Sequence, residues 1–190
     1  MSNQPNVFHY TTRLNLSKIL KERTISLTPG FTEMEKPGVW LSTNPDFENF
    51  TVSISKTDNI LRLRKEREIN ALGMARIEID LSKVRVFTIN QFKNISKIST
   101  RNFKNLSYFA NQCNSNMNEW RICFSPIKSS AWKKIELFDQ NNSIWKELDF
   151  IKADLKKLLV ESKQYINFMD NFQKKELNSI LDLLNLKTIN

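Results

Sequence analysis

Glycine is nearly missing from this chain: Gly30, Gly38 and Gly73 are the only three in 190 residues. A backbone with so few positions free to take positive φ cannot build a glycine-rich phosphate cradle. A Walker-type loop, a dinucleotide-binding G-x-G-x-x-G turn and a collagen-like repeat are all excluded. Turns fall to prolines instead, as at Pro29-Gly30 and Asn44-Pro45.

The length suits one domain or one domain with a small appendage. Hydrophobic residues make up 40% and charged residues 26%, enough apolar material for a true core. No apolar run approaches the roughly 18 residues of a membrane span. The opening MSNQPNVFHY has neither the basic nor the apolar region of a secretory signal, so a cytoplasmic chain with no membrane partner is expected. Its two cysteines, Cys113 and Cys123, are then expected to stay reduced. With only those two and the single His9, soft and imidazole ligands are too few for a four-ligand structural zinc site to be expected, and no metal is expected. A Cys–His nucleophile pair stays formally open beside the reading of two inert thiols.

The formal net charge of +9 is unevenly spread. Between Lys56 and Lys104 twelve Lys or Arg face five acids, whereas from Lys146 onward eight Lys meet seven acids. A basic block of this kind suits a polyanion such as nucleic acid or an acidic protein, or it is a solvated surface. Within it, RLRKERE at 62–68 offers Arg62, Arg64, Lys65 and Arg67.

The patterning predicts α+β architecture. Asn6–Thr11, Ile25–Leu27, Val39–Thr43, Ala75–Asp80, Asn118–Ser125 and Trp132–Phe138 read as strands, and Val84–Thr88 extends the set. Asn15–Glu22 reads as a helix with Asn15 as N-cap, Asp46–Glu68 is helix-rich, and Gln91–Gln112 is helix plus loop. From Ile144 to Leu186 Gly and Pro are absent. Ile151, Leu155, Leu158, Ser162, Tyr165, Met169 and Phe172 recur at steps of four and three, predicting a helical tail. Two domains follow: a core over 1–143 and a helical extension over 144–190. The apolar stripe either packs on its own core or serves self-association or a partner helix.

Three segments carry chemistry: F-H-Y-T at 8–11, G-V-W-L-S-T at 38–43 and N-E-W-R-I-C-F-S at 118–125. In that order they resemble the first-strand histidine motif, the glycine-x-tyrosine-phenylalanine-alanine strand and the glutamate strand of the ADP-ribosyltransferase superfamily. The likeness is to its histidine–tyrosine–glutamate, poly-ADP-ribose-polymerase-like branch and covers about residues 6–138. It implies a split mixed β-sheet core with short helices and NAD as co-substrate. Such enzymes split the nicotinamide–ribose bond and pass ADP-ribose to a macromolecular acceptor, nucleic acid or protein. A toxin or effector in bacterial or phage conflict, with a possible inhibitor protein, is the expected setting.

By that resemblance Glu119 is the catalytic carboxylate, which stabilises an oxocarbenium-like transition state. The NAD-binding residues are His9, Tyr10, Thr11, Trp40, Ser42 and Thr43. His9 would bond a ribose hydroxyl, the Tyr10 backbone would hold the carboxamide, Trp40 would stack on nicotinamide, and Ser42 and Thr43 would offer hydroxyls. Two departures stand out: Trp40 replaces the family's tyrosine, and Tyr10 follows the histidine where many relatives carry glycine. Glu78 and Glu136, also on expected strands, are the rival carboxylates. Against transfer stand two alternatives: NAD hydrolysis, and a catalytically degenerate domain that binds nucleic acid or a partner protein.

Overall fold

A computed structural model describes residues 5–29, 35–48, 73–139 and 141–149. The architecture is α+β. Among the described residues nine strands are present: β1 Phe8–Thr12, β2 Thr24–Ile25, β3 Val39–Ser42, β4 Met74–Ile79, β5 Phe87–Thr88, β6 Trp120–Cys123, β7 Ile127–Lys128, β8 Trp132–Asp139 and β9 Ile144–Glu147. Three α-helices are described with them: α1 Arg13–Glu22, α2 Ile89–Ile95 and α3 Thr100–Gln112. Seven strands form one sheet in the order β5-β6-β3-β1-β4-β8-β9, and β2 pairs with β7 apart from it. Where a mixed sheet was expected, every described pairing is antiparallel. Among the described residues no helix is long and apolar enough to cross a membrane.

Local chemistry sets the boundaries. β1 passes directly into α1 because Thr12, in extended conformation, accepts from the Asn15 backbone N–H. The N-cap is therefore Thr12, and Asn15 lies inside the helix. α2 opens on a reciprocal capping box between Thr88 and Gln91, and α3 on Ser99, which accepts from the Asn102 N–H.

The sheet buries both faces. Towards α1, β2 and β7 it presents Val39, Leu41, Ala75, Ile77 and Cys123, which meet Leu16, Ile19 and Leu20 of α1. Towards α2 and α3 it presents Trp120 and Ile122, which meet Phe92, Leu106 and Ala110. Each fully buried aliphatic side chain contributes about 1.5–3 kcal/mol by leaving water.

Two expectations about the chain's end divide. Residues 144–147, expected to begin the helical extension, form strand β9 and pair with β8 through Glu136↔Glu147 to Asp139↔Ile144. Asp139 closes the turn by accepting from the backbone N–H of Asn141 and Asn142. The apolar stripe from Ile151 onward lies outside the described residues, as do Arg62, Arg64, Lys65 and Arg67 and most of the helix-rich 46–68 segment.

One charged group is built into the sheet on the α2–α3 face. Arg76 of β4 donates Nε–H to Glu136 of β8 at 2.6 Å and Nη1–H to the Pro45 carbonyl. Its guanidinium lies 4.5 Å from the Phe8 ring centre and 4.4 Å from that of Trp145. Lys134 adds a second contact to Glu136 at 2.9 Å. Burial pushes the Glu136 carboxyl up, but the bonds from Arg76 and Lys134 outweigh it and hold it below its ordinary value. Tyr10 Oη donates to the Asn44 carbonyl and Trp145 Nε1 to that of Asp46. The 43–48 loop is thus strapped onto the sheet from several sides.

Removing one member of a buried ion pair strands the other. Arg76→Ala is expected to cost about 3 kcal/mol in urea unfolding. Arg76→Met combined with Glu136→Leu is expected to recover most of that loss. The pair's contribution is present above pH 4.5, the ordinary value for Glu136, and fades as pH falls through its lowered one.

Candidate functional site

The three chemistry-bearing segments occupy three adjacent strands. β3 lies between β1 and β6, with Phe8 opposite Ser42 and Ser42 opposite Trp120. Side chains alternate between faces along each strand, and directly opposed residues share a face. One row across the sheet is therefore Phe8, Ser42, Trp120. The row beside it, on the other face, is His9, Leu41, Arg121. That register puts His9 and Arg121 on the α1 face, while Thr43 and Glu119 are joined just past the strand ends; all four are half-buried. Between β1 and β6 lie two strand spacings of about 4.8 Å, and Glu119 lies two residues along from the His9 row, so the two backbones stand about 12 Å apart.

Glu119 ends a single 3-10 turn, Met117–Glu119, rather than lying within the strand as expected. Asn116 caps that turn by accepting from the Asn118 N–H, and its amide donates to Glu119 Oε1 at 3.2 Å. The Glu119 carbonyl accepts from Thr43 twice, from N–H at 2.8 Å and from Oγ1–H at 3.2 Å. Main chain and carboxylate are both pinned, so the group faces its surroundings in a set orientation. Arg121 donates to the carbonyls of Asn118 and Trp120, each at 2.8 Å, which brings its guanidinium beside the same turn. A second tie lies beneath. Buried Glu48 accepts from Ser42 Oγ at 2.8 Å and from Ser115 Oγ, which itself accepts from Trp120 Nε1 at 3.1 Å. Glu48 thereby joins the end of β3 to the start of the loop that carries Glu119.

His9 Nδ1 lies 3.0 Å from the Trp40 carbonyl. A carbonyl only accepts, so Nδ1 carries the proton. Burial lowers the ring's pKa and the bond to Trp40 raises it, with burial the stronger. His9 is then neutral at pH 7, and its Nε2 is left as an acceptor suited to a hydroxyl.

That bond has a consequence for the sheet. Ladder groups alternate in direction, and the Val7 carbonyl accepts from Ile79 of β4. Phe8 and Tyr10 therefore turn their backbone groups towards β3. β1 and β3 share one registered pair, Phe8↔Ser42, whereas β1 and β4 share five. At the next rung, where Tyr10 would meet Trp40, the His9 ring takes the Trp40 carbonyl. No registered pair joins β1 and β3 at that rung, and the Tyr10 N–H and C=O face β3 there.

Of the expected NAD-binding residues, His9, Thr43 and the Tyr10 backbone are thus brought towards Glu119. Thr11 shares the His9 face but is buried against Ala75 of β4. Trp40 and Ser42 are not brought together with them. The Trp40 ring turns to the opposite face and packs edge-on against Phe92 at 5.0 Å and Trp120 at 5.7 Å. It fills the core there, where stacking on nicotinamide was expected. Ser42 spends its hydroxyl proton on Glu48, and Thr43 spends its own on the Glu119 carbonyl. The Tyr10 phenol lies with Phe8, Phe47 and Trp145, and burial pushes it up to about 12. The rival carboxylates are engaged elsewhere: Glu136 with Arg76 and Lys134, Glu78 with Lys133 at 3.5 Å. Asn116, Arg121 and Glu48 are the site residues that sequence reasoning missed. Only the Asn-rich NSNMNE run before Glu119 hinted at a cap.

Comparison of the chain with protein-family models, curated proteins and solved structures finds no match in any of the three.

The neutral His9 makes a pH prediction. Its folded pKa lies below the ordinary 6.5, so protons bind the unfolded chain more readily. Its contribution to stability is complete above pH 6.5 and is lost as pH falls through the lowered folded value. His9→Gln is expected to flatten the fall in Tm between pH 7 and pH 5 relative to the wild-type chain, as read by scanning calorimetry. An equal fall in both proteins would place the ring in a solvated environment.

Proposed function

We propose that this protein is an NAD-dependent ADP-ribosyltransferase that modifies a macromolecular acceptor, nucleic acid or protein. Its setting is the cytoplasm, as an effector in bacterial or phage conflict. One observation carries the reading: the FHYT, GVWLST and NEWRICFS segments supply three neighbouring strands, with Glu119 at the start of the third bonded to Thr43 and His9 bonded to Trp40 where β1 and β3 have no registered pair.

In this reading the carboxamide of NAD meets the N–H and C=O of Tyr10, since an amide offers the complementary donor and acceptor. His9 Nε2 accepts from a ribose hydroxyl. The bond between C1′ of the ribose and the nicotinamide nitrogen breaks, and its electron pair leaves with nicotinamide. Positive charge grows on C1′ and the ring oxygen, and the Glu119 carboxylate, steadied by Asn116, stabilises it. The acceptor nucleophile forms the new bond to C1′ and releases its proton, for which Glu119 is also the nearest base. Arg121, beside the turn, suits the pyrophosphate.

A second reading keeps the fold without turnover. Trp40 faces the core, and both hydroxyl protons of Ser42 and Thr43 are spent within the protein. A binding domain of ADP-ribosyltransferase type, for nucleic acid or a partner protein, fits those three facts. Hydrolysis of NAD, with water as the acceptor, is the further enzymatic outcome.

Labelled NAD incubated with the protein and lysate, nuclease-treated or protease-treated, separates these outcomes by where label goes. Glu119→Gln is expected to lower transfer on the order of 10²–10³-fold, because the amide keeps the shape and loses the charge. Its thermal unfolding should match wild type within a degree or two. Wild-type rates from this variant would remove Glu119 from the chemistry. No release of nicotinamide by the unmodified protein would favour the binding domain.

A further inference from the structure

Between Asp80 and Glu119 the chain carries six Lys or Arg and not one Asp or Glu. This stretch builds α2, α3 and the loop into the Glu119 turn, so the charge imbalance is laid out on one layer of the fold. Lys83 pairs with Asp80 at 3.5 Å, and Arg85 lies over the Phe87 ring. The other four, Lys93, Lys97, Arg101 and Lys104, are exposed and make no ion pair among the described residues. Lys93 lies over the Phe103 ring at 5.2 Å, which ties the end of α2 to α3. Among the described residues two carboxylates reach this stretch, Glu35 accepting from Asn102 and Glu48 accepting from Ser115, and both are buried, so they offer little outward field.

Arg101, Lys104 and Tyr108 follow at steps of three and four and so share one side of α3. Tyr108 is 58% exposed, which is unusual for so large a ring; only Ile144 is comparable among the described residues. At 1.5 Å per residue, Arg101 and Tyr108 are about 10 Å apart along the helix. The chain then runs from Tyr108 through the end of α3 directly to Asn116 and Glu119.

We propose that this side of α3 is a docking surface for a single-stranded nucleic acid. Its phosphates lie along Arg101 and Lys104, and an unpaired base stacks on Tyr108. The cations supply attraction that is blind to sequence, with no carboxylate in the stretch to oppose it. The exposed ring selects a single strand, because the bases of a duplex already stack on one another. Such a strand is the acceptor delivered to Glu119. That last step rests on the ADP-ribosyltransferase reading, whereas the docking does not.

The test uses the full chain without NAD. Fluorescence anisotropy follows labelled single-stranded DNA, single-stranded RNA and duplex DNA of about 15 nucleotides, a length within a typical single-strand site. Salt is varied from about 50 to 200 mM. Single strands are expected to bind more tightly than duplex, with DNA and RNA distinguished by their relative affinities. Arg101→Gln with Lys104→Gln should reduce the salt slope on a single strand by about 1.4. Tyr108→Ala should weaken single-strand binding by about 5- to 150-fold and leave both the slope and duplex binding unchanged. Lys133→Gln, on β8, should change nothing, and circular dichroism should show every variant folded. The proposal falls if Tyr108→Ala binds like wild type or if the double variant keeps its slope. It also falls if polyglutamate competes as well as a single strand, since the face would then serve acidic proteins. Docking without label transfer would sink the enzymatic reading alone. Label on protein with no docking would sink this proposal alone.

Discussion

The carbonyl of Trp40 can close the sheet or hold a histidine, and here it holds the histidine. In an antiparallel ladder that oxygen would take an N–H from the neighbouring strand. Giving it to the His9 ring keeps both groups satisfied while β1 and β3 share a single registered pair. The sheet gives up a registered rung at its centre, where a continuous ladder would be most stable.

The surrounding structure compensates for that missing rung. β1 keeps five registered partners on β4, so its single pair with β3 does not free it. β3 keeps four on β6, with the Thr43–Glu119 bonds extending that ladder by one step. On the opposite face Glu48 ties the end of β3 to Ser115, and Arg76 ties the following loop to β4 and β8. The missing rung is thus bracketed by ladders on both sides and by a strapped loop at one end. It persists as a fixed feature because its flanks are over-determined.

Much of this was legible in the sequence. The strands showed as alternation of apolar residues, but Glu119 ends a 3-10 turn before β6, so alternation does not set its face. The partition of the candidate residues was not legible. Alternation says that residues 40 and 42 share a face and that 9 and 11 share one. Whether those two faces coincide depends on the register Phe8↔Ser42, and a slip of one residue reverses the answer. That is why Trp40 reads as a stacking ring beside His9 until the pairing is known. The strand at 144–147 was hidden for a related reason. Freedom from Gly and Pro suits helix and strand alike, and what decides is the backbone of β8 together with the Asp139 turn.

The central place of β1 bears on how the molecule is made. Phe8 precedes the rest of the sheet in the chain, yet its strand pairs with β4 near residue 78, and β3 pairs with β6 near residue 121. Each closes a loop of more than sixty residues, so the sheet cannot nucleate from local hairpins alone. On the ribosome the first strand waits for most of the core to emerge. α1, capped by its own Thr12, is the early element that can form meanwhile, and the sheet closes late around it.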